Sequence, residues 1–268
     1  MPKIRLNGVN YTYDRRGDGP PLLLLHGFTG SAEHWSPHRD SFAARYTTLV
    51  IDLLGHGATE SPTDPNRYRI EHAAQDLAAL LTALSASRAH IVGYSMGGRL
   101  ALYFALTYPA AVRSLVLESA SPGLADPGER AQRAAADAQR ADRIERAGIV
   151  AFVDDWERLP LFASQARLPS ATRDRLRAQR LRNSPSGLAN SLRGMSTGVQ
   201  PSLWNRLGAL ERPVLLLTGA LDPKFVAIAQ RMYAVLPHAR HITVPDAGHT
   251  IHLEQPDAFS QHVRDFLR

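Results

Sequence analysis

An α/β fold with a mostly parallel sheet, and a helical lobe inserted after its sixth strand, is predicted by three features of the sequence. Short, continuous apolar runs alternate with stretches of helical periodicity, the pattern of parallel strands covered by helices on both faces. One run, Ala89–Val92, passes through Gly93-Tyr94-Ser95-Met96-Gly97 into the helix-forming stretch Arg99–Ala105. A sharp, serine-bearing turn therefore joins strand to helix. Between residues 122 and 205 strand-like runs are absent.

Residues 3–14 read as a hairpin around Asn7-Gly8, a turn pair between alternating residues. Pro21–Leu25 and Thr48–Ile51 follow as buried strands, with helical character near 31–44, 70–86 and 98–108. Ser114–Leu117 is the sixth strand, Pro213–Leu217 and His241–Val244 are the last two, and a helix over about 257–267 closes the pattern. The core thus comprises 1–121 and 206–268. The cap, 122–205, is rich in Ala, Arg, Asp and Leu and broken at Gly148, Pro160, Pro169 and Pro185. Trp156, Leu159, Leu161 and Phe162 anchor it, which favours a packed lobe over a charged linker.

With 268 residues, 44% of them hydrophobic and 21% charged, the chain can bury one large core. It has no cysteine, which excludes disulfides, thiolate nucleophiles and thiolate metal sites and suits a cytoplasmic setting. The first residues lead into a polar, turn-containing segment, and no apolar run is long enough to span a bilayer, so a soluble, unexported protein without a membrane partner is expected. All but two of the 31 basic residues are arginine, and the net charge is +6. Guanidinium groups fork onto carboxylates and phosphates and keep their charge when partly buried. The arginines are spread along the chain with no nucleic-acid module among them, so an acidic small molecule is the expected partner. A monomer is expected. No HExxH or comparable ligand spacing is present, and no metal or organic cofactor is expected.

The glycines flanking Ser95 let the backbone turn sharply and lift its hydroxyl to the sheet edge. A serine acting as nucleophile or base needs a histidine, and the histidine needs an orienting acid. Asp222 follows the run Pro213–Leu217, and His249 follows His241–Val244. The resulting order of serine, acid and histidine is that of α/β-hydrolases, whose catalytic loops lie beyond strand C-termini. Glu118 and Asp246 are alternative acids, and His252 an alternative histidine. Asp246 is so close to His249 that turn formation explains it better, and His252 suits a packing or surface role. His26-Gly27-Phe28-Thr29-Gly30 follows the third strand, so the amides of Phe28 and Met96 are candidates for an oxyanion hole. His26 and His56 read as hydrogen-bonded loop residues.

Four segments carry a narrower resemblance. They are Gly93–Arg99, Glu118–Leu124, Asp155-Trp156 with Pro160–Ala163, and Met195–Trp204. Together they resemble the MenH family, the 2-succinyl-6-hydroxy-2,4-cyclohexadiene-1-carboxylate synthases, within the α/β-hydrolase superfamily. The resemblance implies a lyase of menaquinone biosynthesis. Its serine, activated by histidine, would remove a ring proton, after which pyruvate is eliminated from a tricarboxylate substrate. It also implies that Tyr94, Arg99, Arg133, Trp156, Phe162 and Arg180 contact substrate. Arg99, four residues beyond Ser95, can reach the same pocket. A two-residue shift would replace Arg180 by Arg182. The chain departs from one branch by having Ser121 where a histidine precedes Pro-Gly, and it is longer between Phe162 and Arg180. A serine ester or carbon–carbon bond hydrolase, and a non-catalytic receptor for an acidic ligand, are the competing readings.

Overall fold

The computed structural model describes residues 1–268. Eight strands form one sheet: β1 (Lys3–Leu6), β2 (Val9–Arg16), β3 (Pro21–Leu25), β4 (Thr47–Ile51), β5 (Ala89–Tyr94), β6 (Val112–Glu118), β7 (Val214–Gly219) and β8 (Ala239–Val244). Their spatial order is β1-β2-β4-β3-β5-β6-β7-β8. β1 and β2 form the antiparallel hairpin, β2 pairs antiparallel with β4, and every pairing from β4 through β8 is parallel. The core helices are α1 (Ser36–Ala43), α2 (Ile70–Ala83) and α3 (Met96–Thr107), and later α7 (Pro223–Tyr233), α8 (Ile251–Glu254) and α9 (Pro256–Leu267). The expected helix near 31–44 divides into a 3-10 turn, Ala32–Trp35, and α1, whose second residue is Pro37.

The uninterrupted apolar runs have a direct cause. Successive strand side chains point to opposite faces, and here both faces are covered. Leu23, Leu25, Leu49, Ile51 and Ile91 pack with Leu77, Leu80 and Phe104 on one side. Leu22, Leu24, Val50 and Val92 pack with Trp35, Phe42 and Phe259 on the other. Alternation with polar residues would place those groups in one of two dry layers.

Between β6 and β7 lie α4 (Pro127–Glu157), a 3-10 segment (Pro160–Arg167), α5 (Ser170–Leu181) and α6 (Pro185–Met195). Gly148 divides α4: its φ of 79° and ψ of 175° belong to a region that essentially only glycine occupies. The chain bends there, and Phe152 and Val153 beyond it join Ala141 and Ile144 before it in a small core with Leu188 and Leu192 of α6. The return to the main core begins at Leu203, which is buried with Leu207 and Leu210 against the sheet. No helix is long and apolar enough to cross a membrane.

Several histidines are buried, His26 and His56 in loops beyond strand ends and His38 in α1. Burial favours the neutral imidazole, and it lowers His26 and His38 to about 4 and His56 to about 3, from 6.5. The unfolded chain takes up protons at these groups below pH 6.5 while the folded chain does not until near pH 4. Stability is therefore intact above pH 6.5 and declines as pH falls towards 4. Each histidine contributes a slope approaching about 1.4 kcal/mol per pH unit. Urea unfolding followed between pH 7 and 5 checks this, and an unchanged midpoint across that interval contradicts it.

Candidate active site

β5 runs into α3 through Ser95, whose φ of 50° and ψ of −106° are strained for a residue with a side chain. The turn survives because its surroundings hold it. Ser95 N–H donates to the carbonyl of Glu118 at 2.8 Å, and the Ser95 carbonyl accepts Arg99 N–H at 3.0 Å. A Cβ on Gly93 would stand 2.6 Å from the carbonyl oxygen of Gly97, and one on Gly98 would stand 2.6 Å from Ala120 Cβ. Only residues without side chains let strand and helix approach this closely.

Asp222 follows β7 and His249 follows β8, as the order of strands requires. With Nδ1 protonated, His249 donates to Asp222 Oδ2 at 2.7 Å, and its Nε2 accepts the Ser95 hydroxyl at 3.0 Å. Asp222 and His249 are both buried. Asp222 also caps α7, with Oδ1 accepting Phe225 N–H at 3.3 Å. The histidine loop has its own clamp: the Glu254 carboxylate accepts Gly248 N–H at 2.7 Å and Thr250 N–H at 3.1 Å, one residue on either side of His249. The alternative groups are engaged elsewhere. Glu118 accepts His252 N–H at 3.0 Å and its Nδ1–H at 2.9 Å, with both residues fully buried, and Asp246 occupies a positive-φ turn.

After β3, Gly30 N–H closes a turn onto the Gly27 carbonyl at 3.0 Å, with Thr29 at φ 67°. His26 accepts Leu53 N–H at Nε2 (2.9 Å) and donates from Nδ1 to the Gly27 carbonyl (2.8 Å), tying this loop to the one after β4. Asp52 accepts Ala32 N–H at 2.7 Å and Ala58 N–H at 2.9 Å and reinforces the same junction. Met96 is the first residue of α3, so its N–H has no acceptor within the helix. Phe28 and Met96 both line the cavity in front of Ser95.

That cavity measures about 470 Å³ and lies between the sheet edge and the cap. Ser95, His249 and Asp222 line it, Phe28, Tyr94, Trp156, Phe162 and Phe225 supply aromatic wall, and Arg99, Arg133, Arg140 and Lys224 supply positive charge. Ser119 Oγ, Ser196 Oγ and Trp156 Nε1 belong to lining residues and have no protein hydrogen-bond partner. Half-buried Arg99 donates from Nη1 to the Met195 carbonyl at 2.9 Å and to Gln200 Oε1. Burial, with nearby Arg133, lowers it from 12.5 to about 10, so it remains charged at neutral pH. Tyr94 donates or accepts with Thr250 Oγ1 at 2.9 Å, and burial pushes its phenol up. No group of three or more histidine or acidic side chains converges as a metal site would require.

Of the residues the sequence singles out, ten meet at this cavity and Arg180 does not. Arg180 lies behind Phe162, with its guanidinium 5.6 Å from that ring. In place of a ligand it holds Glu157 at 2.9 Å and Gln165 Oε1 at 3.1 Å. Arg182 does not replace it, being exposed and paired with Glu33. The sequence reading also omitted Asp137, Arg140, Lys224 and Phe225. The signals were present: Asp137 and Arg140 lie four and seven residues beyond Arg133 on one helix, and Lys224 and Phe225 directly follow Asp222-Pro223.

The chain matches the α/β hydrolase fold family over residues 20–256. It is 47% identical over 263 residues to a Bacillus subtilis protein provisionally named 2-succinyl-6-hydroxy-2,4-cyclohexadiene-1-carboxylate synthase, covering 97% of this chain and 96% of that protein. The Pectobacterium atrosepticum protein of that name is 34% identical, covering 92% and 94% of the two chains. The chain belongs to the 2-succinyl-6-hydroxy-2,4-cyclohexadiene-1-carboxylate synthase family. The structure of MenH from S. aureus superposes with a TM-score of 0.92 at 37% identity, over 96% of this chain and 97% of that one.

Two segments that carried the family resemblance meet in the structure. Leu203 N–H donates to the Pro122 carbonyl at 2.8 Å, Trp204 Nε1–H donates to the Gly123 carbonyl at 3.0 Å, and Met195 and Gln200 hold Arg99. In this family member the second of these segments forms a seat for the Arg99 guanidinium.

Glu254→Ala removes both acceptors that hold the histidine loop. We expect kcat to fall about tenfold to a hundredfold, since small misplacements of a catalytic group are costly, while KM changes little. Steady-state kinetics decide it, and an unaltered kcat refutes the clamp.

Proposed function

We propose that this protein is a carbon–oxygen lyase. It eliminates pyruvate from 2-succinyl-5-enolpyruvyl-6-hydroxy-3-cyclohexene-1-carboxylate to give 2-succinyl-6-hydroxy-2,4-cyclohexadiene-1-carboxylate, a step of menaquinone biosynthesis. The observation that carries this reading is a serine–histidine–acid array within hydrogen-bond reach, lining a cavity whose walls also carry Arg99, Arg133, Arg140 and Lys224. Relatives bearing the synthase name over nearly the whole chain support it.

In this reading Asp222 orients His249 and stabilises its protonated form, and His249 takes the proton of Ser95. The Ser95 oxygen then removes the substrate's ring proton, and the negative charge spreads to the succinyl carbonyl oxygen. The amides of Phe28 and Met96 face that oxygen, where charge develops in the transition state. The carbon–oxygen bond to the enolpyruvyl group breaks, the ring gains its second double bond, and the released enolate takes a proton to become pyruvate. Arg99 and Arg133 hold carboxylates of a substrate that is triply anionic near neutral pH. Ser119, Ser196 and Trp156 offer further partners to the ring substituents. The enzyme works in the cytoplasm as a monomer on this small molecule, without metal or organic cofactor.

An ester hydrolase would use the same triad to form an acyl-enzyme. Four cations around the cavity weigh against it, because a neutral ester gains little from them. A receptor with no chemistry to perform gains nothing from a serine hydroxyl directed at a buried histidine.

Mixing the purified protein with the enolpyruvyl precursor should release pyruvate in step with the rise of diene absorbance. Rapid cleavage of aryl esters with no pyruvate formed overturns the lyase reading. Arg99→Ala should lower kcat/KM for the trianion by about tenfold to a hundredfold, the loss expected for a charge-assisted hydrogen bond, and leave slow neutral-ester cleavage much less affected. Equal losses on both substrates assign Arg99 to the fold instead.

A further inference from the structure

Arg133, Asp137 and Arg140 share one face of the first half of α4, at spacings of four and three residues. Asp137 contributes to the cavity lining, yet it is fully buried. Its Oδ2 accepts Arg133 Nε–H at 2.6 Å and its Oδ1 accepts Arg140 Nη1–H at 3.1 Å. An acid at the edge of an anion-binding cavity would by itself repel the ligand. Its complete burial behind two guanidiniums gives it a different effect, which is to bring two like charges together and fix their orientation.

The donors left over decide what the pair can do. Arg133 uses Nε on Asp137 and retains both Nη groups, and Arg140 uses Nη1 and retains Nη2 and Nε. Neither arginine has a second acidic partner. Their side chains are 42% and 36% exposed and both line the cavity, whereas Arg180 is 6% exposed and held by Glu157. Arg140 is further confined by Trp156, whose ring centre lies 5.9 Å from its guanidinium carbon.

We propose that Arg140 is a carboxylate-binding residue of this cavity, held beside Arg133 by the positioning residue Asp137 to form a clamp of two guanidiniums. Arg140, and not Arg180, is the second cap arginine that lines the cavity beside Arg133. The identity of the full substrate rests on the lyase reading above. The ligand class, a small di- or tricarboxylate, rests on the cavity alone.

The test compares wild type with Arg140→Met, Arg140→Lys, Asp137→Asn and the double variant Asp137→Asn/Arg140→Met, all in the full chain. Calorimetric binding of succinate reads the clamp without turnover, and KM and kcat for pyruvate release read it during turnover. Arg140→Met should weaken succinate binding and raise KM about tenfold, as for loss of one charged hydrogen-bonding group, while kcat changes less than about threefold. Arg140→Lys should recover part of the loss. Asp137→Asn should raise KM in the same direction, with a much smaller effect once Arg140 is already methionine. Should Asp137→Asn fail to fold, the half-exposed Arg140 variants still decide the matter. Arg140→Met with wild-type succinate affinity and KM overturns the clamp and leaves the lyase reading intact. A wild type that releases no pyruvate, but loses succinate affinity on Arg140→Met, overturns the lyase reading and leaves the clamp. A wild type that neither binds succinate nor releases pyruvate overturns both.

Discussion

Glu118, the last residue of β6, ties the serine turn to the helix that follows His249. Its carbonyl accepts the Ser95 amide and so secures the strained elbow, and its carboxylate accepts the amide and ring of His252 in α8, three residues beyond His249. The parallel register of Tyr94 with Glu118 brings these contacts to one level of the sheet. A carboxylate this deeply buried is tolerable only when its oxygens are taken up, and a histidine ring with an amide does that. The serine turn and the start of α8 are thus both anchored to the end of one sheet strand, and Glu254 fixes the loop of His249 between them.

The cap is joined to the same loops. Asn183 accepts Gly57 N–H at 2.9 Å and donates to the Thr29 carbonyl at 2.9 Å, and Gln179 donates to Ser31 Oγ at 2.6 Å, so the end of α5 is tied to the loops after β3 and β4. Gln165 donates to Thr250 Oγ1 at 3.0 Å beside His249, and Arg180 in turn holds Gln165. Arg180 is therefore spent within the cap, bracing the glutamine that reaches the core, and its guanidinium is absent from the cavity lining. The core supplies the serine–histidine–acid array and Arg99. The cap supplies Arg133, Arg140 and two aromatic walls, and neither part forms the cavity by itself.

The positive charge of the cavity comes from both parts of the chain. Arg99 lies one helical turn beyond Ser95 and Lys224 two residues beyond Asp222, while Arg133, Asp137 and Arg140 form a hydrogen-bonded unit on the cap. Such an arrangement offers a small anion with several carboxylates more than one cationic partner.

Much of this was legible in the residues alone. Apolar runs alternating with helical segments dictated the parallel sheet, the Gly-x-Ser-x-Gly turn located the serine, and chain order selected Asp222 and His249. Loss of strand pattern after residue 121 marked the cap. These features are local, because strand and helix periods and turn chemistry act over a few residues. What only the tertiary structure decided is which side chains stand opposite one another. Periodicity places Arg133, Asp137 and Arg140 on one face of α4, but it does not say that this face looks into the cavity, or that Arg180 looks into Glu157. Glu118 stood behind Asp222 as an alternative acid until the fold set it against His252, 134 residues away. Contacts between residues so far apart in sequence depend on how whole elements pack, and no spacing along the chain carries that information.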